Sequence, residues 1–148
     1  DLLQDSGIPE LVRRIAVRHR LDASGEKMLE SMLRASLNSE IFRRVRVAAG
    51  SGRRIFRELP FVRPLGDGTI EEGKIDLLFE EESGWVLVDY KTDWVSEKGG
   101  NAEEFFRNKY SGQIREYAAA LRALSVHVAS AHLLLARTGT AVRVGLKI

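Results

Sequence analysis

The chain contains no cysteine. It therefore forms no disulfide, no thiolate zinc site and no cysteine-ligated iron–sulfur cluster. Such a composition suits a reducing compartment, and a cytoplasmic location is the expectation. No apolar run approaches the roughly 18 residues of a membrane span, and no signal-peptide pattern opens the sequence, so no membrane partner is expected. A Gly-x-x-x-x-Gly-Lys-Ser/Thr phosphate loop is missing as well, which excludes an ATP-driven motor in this piece. Internal repeats and low-complexity tracts are absent. Of the three histidines, His127 and His132 lack metal-ligand spacing to a second His, and His19 lies on a helical face where packing is the ordinary role.

What is present is one domain's worth of chain. The 148 residues are enough for a real core, and residues 1–148 read as a single domain. Net charge is only +2, with a pI of about 9.1. The positive charge is unevenly placed: Arg43, Arg44, Arg46, Arg53, Arg54, Arg57 and Arg63 fall within one short stretch. An Arg fork bonds two phosphate oxygens at once, so this stretch reads either as a nucleic-acid contact or as a solvated, salt-bridged face.

Periodicity orders the elements. Asp1 to Gly7 reads as a lead-in. Ile8 to Arg20 repeats its apolar residues at helical spacing, with Pro9 in the first turn. Ser24 is placed to cap a second helix with a stripe of Met28, Leu29, Met32, Leu33 and Leu37; both Met residues read as core filler. Ser39 is placed to cap a short third helix. Arg54 to Val62 alternates like a strand, and Pro60 within it suggests an edge position. A strand from Thr69 or Ile70 to Phe79 follows, with Gly73 as a bulge or a place where substrate backbone approaches. The strand Gly84 to Lys91 is nearly all apolar until Asp89, which suggests a central place in the sheet. Val95 to Asn101 reads as a mobile loop and Ala102 to Leu124 as the longest helix. Ala129 to Arg137 and Ala141 to Ile148 read as two last strands.

The chemistry concentrates between Gly73 and Lys91. Two apolar runs flank the acidic turn Glu80-Glu81-Glu82-Ser83-Gly84, which is a hairpin signal. Residues two apart on a strand share a face, so Asp89 and Lys91 point the same way. With the turn centred between Glu82 and Ser83, Asp76 lies opposite Asp89; a slip of one residue sends them to opposite faces. Two carboxylates side by side are costly without a cation. Mg²⁺ takes hard oxygen ligands, commonly one or two carboxylates with water and phosphate. The plainer alternative is a solvent-facing polar edge with a surface ion pair.

Gly73-x-x-Asp76, followed about a dozen residues on by Val88-Asp89-Tyr90-Lys91-Thr92-Asp93, resembles the PD-(D/E)xK nucleases. The pattern is most similar to the C-terminal nuclease domain of AddA/RecB-type (UvrD-like) helicase–nucleases. Arg57-Glu58-Leu59-Pro60-Phe61 upstream and Tyr110-x-x-Gln113-x-x-x-Tyr117 downstream extend the resemblance over roughly Glu58 to Leu124.

The resemblance implies a restriction-endonuclease-like α/β fold: an αβββαβ core, a mixed central sheet flanked by helices, with extra N-terminal helices here. It implies a Mg²⁺-dependent deoxyribonuclease, an exonuclease in a protein that processes DNA ends in recombinational repair, with Mn²⁺ as a substitute metal. Expected partners are DNA, a helicase motor in the same parent chain and a second subunit. Asp76, Asp89 and the main-chain carbonyl of Tyr90 are the implied metal ligands. Lys91 is to orient or activate the attacking water and offset charge on the phosphate. Glu58 either binds metal, often through water, or orients a ligand, or merely pairs with a nearby arginine. Gln113 is to hold a ligand carboxylate or water, and Tyr117 to contact phosphate. Arg43, Arg44, Arg46, Arg53 and Arg54 are the candidate DNA contacts. Asp93 reads as a cap or turn residue, with a catalytic part as the alternative. Such nucleases usually carry an upstream Gly-x-x-x-His helix, which this sequence lacks; its place would fall before Asp1, so a fragment without the His-bearing helix is the expectation. The alternatives are a catalytically silent DNA-binding or subunit-docking module of the same fold, and a free-standing endonuclease.

Overall fold

The computed structural model describes residues 7–93 and 101–146. Most of the lead-in, and most of the loop expected over Val95 to Asn101, lie outside these. Three helices come first: α1 (Ile8–His19), α2 (Ala23–Leu37) and α3 (Glu40–Gly50). The strands β1 (Ile55–Pro64), β2 (Ile70–Glu81) and β3 (Gly84–Lys91) follow, then α4 (Ala102–Ala123), β4 (Val128–Leu135) and β5 (Thr140–Val144). The sheet order is β1-β2-β3-β4-β5, antiparallel throughout except that β3 and β4 run parallel. A parallel pair needs a long crossover, and α4 supplies it. This is a mixed α/β sheet of the expected class, with β3 at its centre and Pro60 on the edge strand β1, where a missing N–H is tolerated.

Strand alternation sends one set of side chains to each face of the sheet. Val86, Val88, Leu77, Phe79 and Leu134 pack beneath Ile41, Val45 and Ala48 of α3. Leu87, Leu78, Ala131, Leu133, Leu135, Val142 and Val144 pack against Phe106, Ile114, Tyr117, Ala118 and Leu121 of α4. Burying a side chain of this size stabilises by about 1.5–3 kcal/mol against leaving it exposed, so the two layers fix α3 and α4 on opposite sides of β3.

Some local expectations are corrected. The N-cap of α2 is Asp22, whose Oδ1 accepts from the Gly25 N–H at 2.7 Å, and Ser24 lies inside the helix. Both residue types cap well; the phase of the helix chose between them. Ser39 caps α3 as expected, accepting from the Phe42 N–H at 3.3 Å. Met28 is 46% exposed, so it is not core filler, and His19 is exposed. Helix α2 has no fully buried residue. It is held in part by Gly139 (φ 72°), which lets the β4–β5 turn approach the Ala35 carbonyl more closely than any Cβ would allow.

One buried histidine carries a pH prediction. His132 on β4 is 8% exposed, with Nε2 3.4 Å from Arg44 Nη1 and 3.2 Å from Ser130 Oγ. Burial, helped by the Arg44 and Arg143 charges, pushes its pKa down to about 4, against partial opposition from Glu40 and Glu81. The folded pKa is thus depressed below the unfolded one. The stability this gives is fully present above the unfolded pKa of about 6.5 and is lost as pH falls toward 4. Denaturant unfolding should show His132→Leu losing about 3 kcal/mol less than the parent between pH 7 and pH 4. Parallel pH profiles for the two proteins would refute this assignment.

Candidate active site

The β2–β3 hairpin closes through the two-residue turn Glu82-Ser83, pairing Glu81 with Gly84 and, four steps on, Leu77 with Val88. One further step in this register would set Asp76 across from Asp89. There the ladder stops. Instead the Asp76 carboxylate accepts the Tyr90 N–H at 2.8 Å through Oδ2. From this point β2 pairs with β1 alone, while β3 continues beside β4 through Lys91. The strands part, and the end of β3 is left open on its β2 side.

The same level is irregular in β1. Continuing the β1–β2 register puts Glu58 opposite Asp76, yet Glu58 has φ of 50°. Ile55 and Leu59 are an even number of residues apart, but Ile55 packs in the α3 layer and Leu59 in the α4 layer. Leu77 and Ile75 on β2 differ in the same way. Both strands change face at the Glu58/Asp76 level. A non-glycine residue at positive φ costs about 1 kcal/mol or more and persists only where its surroundings impose it.

Into the opening project Asp89 and Lys91, both on the α4 side of β3. Asp89 is 4% exposed. Its Oδ2 stands 2.6 Å from Lys91 Nζ, an ionic contact without hydrogen-bond alignment, so this buried oxygen has no directed donor. Burial raises the Asp89 pKa and the Asp76 charge adds to this, while Lys91 acts in the opposite sense. Lys91 Nζ donates to Gln113 Oε1 at 3.0 Å, and Gln113 Nε2 donates to the Tyr117 hydroxyl at 2.9 Å. Burial first, and then the charges of Asp89 and Asp76, raise the Tyr117 pKa, so its hydroxyl stays protonated near neutral pH. Gln113 and Tyr117 are one helical turn apart and share a face of α4. The structure therefore brings Asp76, Asp89, Lys91, Gln113 and Tyr117 together from two strands and one helix.

Tyr90 contributes only main chain here. Its ring turns to the other face of the sheet and stacks on Phe42, with centroids 6.3 Å apart. Burial there, with the Asp76 charge, pushes its hydroxyl pKa up to about 12. Glu58 is level with the site, but its exposed carboxylate pairs with Lys74 at 3.3 Å. That is a lysine partner, where the sequence suggested an arginine.

The arginine stretch is placed elsewhere. Arg44 holds Glu81 through two bonds of 2.8 and 2.9 Å, Arg54 holds Glu80 through bonds of 3.1 and 3.0 Å, and Arg53 reaches Glu82 at 3.4 Å. Arg46 donates to the Leu37 carbonyl, and Arg43 lies exposed on the same helix. The Arg44, Arg53 and Arg54 pairs gather at the turn end of the β2–β3 hairpin, away from Asp89, because the acidic turn is the complementary charge within reach. Arg44, Arg53 and Arg54 thus form the salt-bridged face that was one of the two readings of this stretch.

Sequence reasoning missed the parts played by two supporting residues. Phe61 packs edge-to-face on Tyr117, with centroids 5.3 Å apart, and lies over Gly73, where a Cβ would come within 2.5 Å of Phe61 Cζ. Gly73 thus admits a neighbouring ring, and that ring backs Tyr117. Tyr110 lies against Lys91, with Nζ 4.1 Å from the ring centroid; its i, i+3 spacing to Gln113 was the available signal.

The donor set suits a hard divalent cation. Among the described residues no group of three or more His, Cys, Asp or Glu side chains gathers as a metal site; the Asp76 and Asp89 carboxylates are hard oxygen donors of the kind a divalent cation takes. A buried carboxylate oxygen without a directed donor, and a second carboxylate close enough to raise its pKa, are both relieved by a cation.

Comparison with known proteins gives matches over this region and beyond. A family model described as the PD-(D/E)XK nuclease superfamily matches residues 3–147. An ATP-dependent helicase/nuclease protein of Clostridium perfringens (strain SM101) is 40% identical over 94 residues, covering 53% of this chain and 7% of that protein. Its counterpart in Anoxybacillus flavithermus is 37% identical over 93 residues, covering 61% and 7%. In Lachnoclostridium phytofermentans the figure is 52% over 58 residues, covering 39% and 4%. The chain spans at most about 7% of the length of these curated relatives. Among the described residues no helix is long and apolar enough to cross a membrane.

Proposed function

The chain belongs to the PD-(D/E)XK nuclease superfamily, and from that premise we propose that residues 1–148 form a metal-dependent DNA nuclease module that hydrolyses phosphodiester bonds. The observation that carries this reading is the buried Asp89 carboxylate, level with Asp76 and in ionic contact with Lys91, where β2 parts from β3. Asp76, Asp89 and the Tyr90 carbonyl would hold Mg²⁺, with Mn²⁺ as a substitute. When bound, the ion supplies Lewis acidity toward phosphoryl oxygen and lowers the pKa of water. Asp76 keeps its carboxylate in place by accepting the Tyr90 N–H. Lys91 orients the attacking water and offsets charge on the scissile phosphate, held by Asp89 and Gln113. The Tyr117 hydroxyl, now bonded to Gln113, is a donor for a phosphate oxygen. Glu58 can reach the metal through water after leaving Lys74. The relatives' names favour a place in a helicase–nuclease, with the motor in the same parent chain and a further polypeptide as its partner; the absence of cysteine supports a cytoplasmic place for it. Exonucleolytic processing of DNA ends in recombinational repair follows from that placement.

The test is cleavage of end-labelled linear duplex against closed circular DNA, with Mg²⁺, Mn²⁺ or EDTA. Shortening of the linear substrate with either metal, and silence in EDTA, is the expected result. Metal-dependent cutting of closed circles would instead point to a free-standing endonuclease. Binding of DNA without any cutting, by the parent protein as well as by this chain, would replace the enzyme by a docking module of the same fold.

A further inference from the structure

We propose that Tyr110 is a positioning residue for Lys91, and that Asp93 holds Tyr110 in the orientation this requires. The inference rests on the reading of Lys91 given above. Lys91 has a four-carbon stem and an ammonium that would otherwise sample many rotamers. In this fold the ammonium is met on separate sides by Asp89 Oδ2, by Gln113 Oε1 and by the face of Tyr110, whose centroid is 4.1 Å from Nζ. An ammonium over an aromatic face is attracted by the ring quadrupole, more so where water is excluded. The Lys91 side chain is 13% exposed.

The ring itself is held at both ends. Its hydroxyl donates to Asp93 Oδ2 at 2.9 Å, and its face stacks on Phe106, with centroids 6.0 Å apart. Phe106 is 3% exposed and anchored in the α4 layer. Lys109 completes the arrangement, with Nζ 3.3 Å from Asp93 Oδ1 and 4.8 Å from the Tyr110 centroid. Asp93 lies two residues beyond Lys91 on the chain, and Tyr110 lies on α4. The clamp therefore ties the segment after β3 to the crossover helix across the lysine. A tyrosine that served only as core filler would not need its hydroxyl bonded to an exposed carboxylate.

The test uses Tyr110→Phe, Tyr110→Leu and Asp93→Asn, each checked for fold by circular dichroism. The first readout is the proton shift of the Lys91 ε-methylene, which a ring face moves upfield with or without activity. Wild type should show the upfield shift, Tyr110→Phe, which loses the hydroxyl bond to Asp93, should reduce it, and Tyr110→Leu should lose it. Asp93→Asn should reduce it without removing it. The second readout is single-turnover cleavage: Tyr110→Leu should fall roughly tenfold in rate with DNA affinity unchanged, and Tyr110→Phe should stay within about threefold. An unshifted methylene in wild type, or a Tyr110→Leu protein that keeps both the shift and the rate, overturns the proposal. If neither this chain nor the parent protein cuts DNA, the nuclease reading falls, while the Lys91 shift still decides whether the clamp exists.

Discussion

Asp89→Asn is expected to reduce metal-dependent cleavage by about 10²- to 10³-fold or more, yet to leave the metal-free protein no less stable at pH 7. The two halves have one cause. Asp89 is buried beside another carboxylate, and burial is the largest reason its pKa is raised. A raised folded pKa means that the native state takes up the proton more readily than the unfolded chain. The resulting destabilisation is absent below the unfolded pKa of about 4 and complete above the folded pKa. Asparagine keeps the shape and removes the charge, so its stability varies less with pH over that window. Lys91 retains Gln113 and the Tyr110 ring as neighbours. The oxygen that would bind metal is what the variant loses. Single-turnover cleavage with Mg²⁺, and urea unfolding in EDTA, measure the two halves separately. Cleavage within tenfold of wild type would remove Asp89 from the metal-binding set. A large loss of metal-free stability would mean that the carboxylate is structurally required.

Ile114→Ala is expected to cost about 3 kcal/mol of unfolding free energy and to lower Tm by roughly 10 °C. Ile114 is fully buried in the α4 layer, directly after Gln113. Its removal deletes buried methylenes and leaves a cavity that a helix pinned on both sides by Phe106 and Tyr117 closes poorly. The effect should reach the site, because Gln113 holds Lys91 from the same turn of α4. Calorimetry gives the stability loss. Cleavage below the new Tm should fall more than in an equally destabilised α3 variant such as Val45→Ala. Equal activity at equal stability would show that α4 does not transmit its position to the lysine.

The strand ends were legible where chemistry changes abruptly. Gly84 to Lys91 matches β3 because a turn signal precedes one apolar run and charges end it. The register of β2 on β3 followed from a two-residue turn, since the turn's centre decides every later pair. Less could be read where the outcome depends on residues far apart in the chain. The positive φ of Glu58 and the change of face beside it come from how two long strands twist together. Pairing of Arg44 with Glu81 needs the sheet packed against α3, and that of Arg54 with Glu80 needs the β1–β2 ladder, so a run of charge alone did not reveal its partners. Gly73 was open to several readings until Phe61 was seen to lie over it.

The parallel pairing of β3 with β4 has a kinetic consequence. Strands β1, β2 and β3 are joined by short turns, so their contacts are local and close early. The β3–β4 pair cannot form until α4 has been made and folded across the sheet, and such non-local closure is slow. During synthesis, Asp76 and Asp89 can therefore meet before Gln113 and Tyr117 reach Lys91. The carboxylates would assemble in one step and their lysine would be fixed in another. A nascent chain halted before Ala102 would carry the acidic half of the site without its helical half.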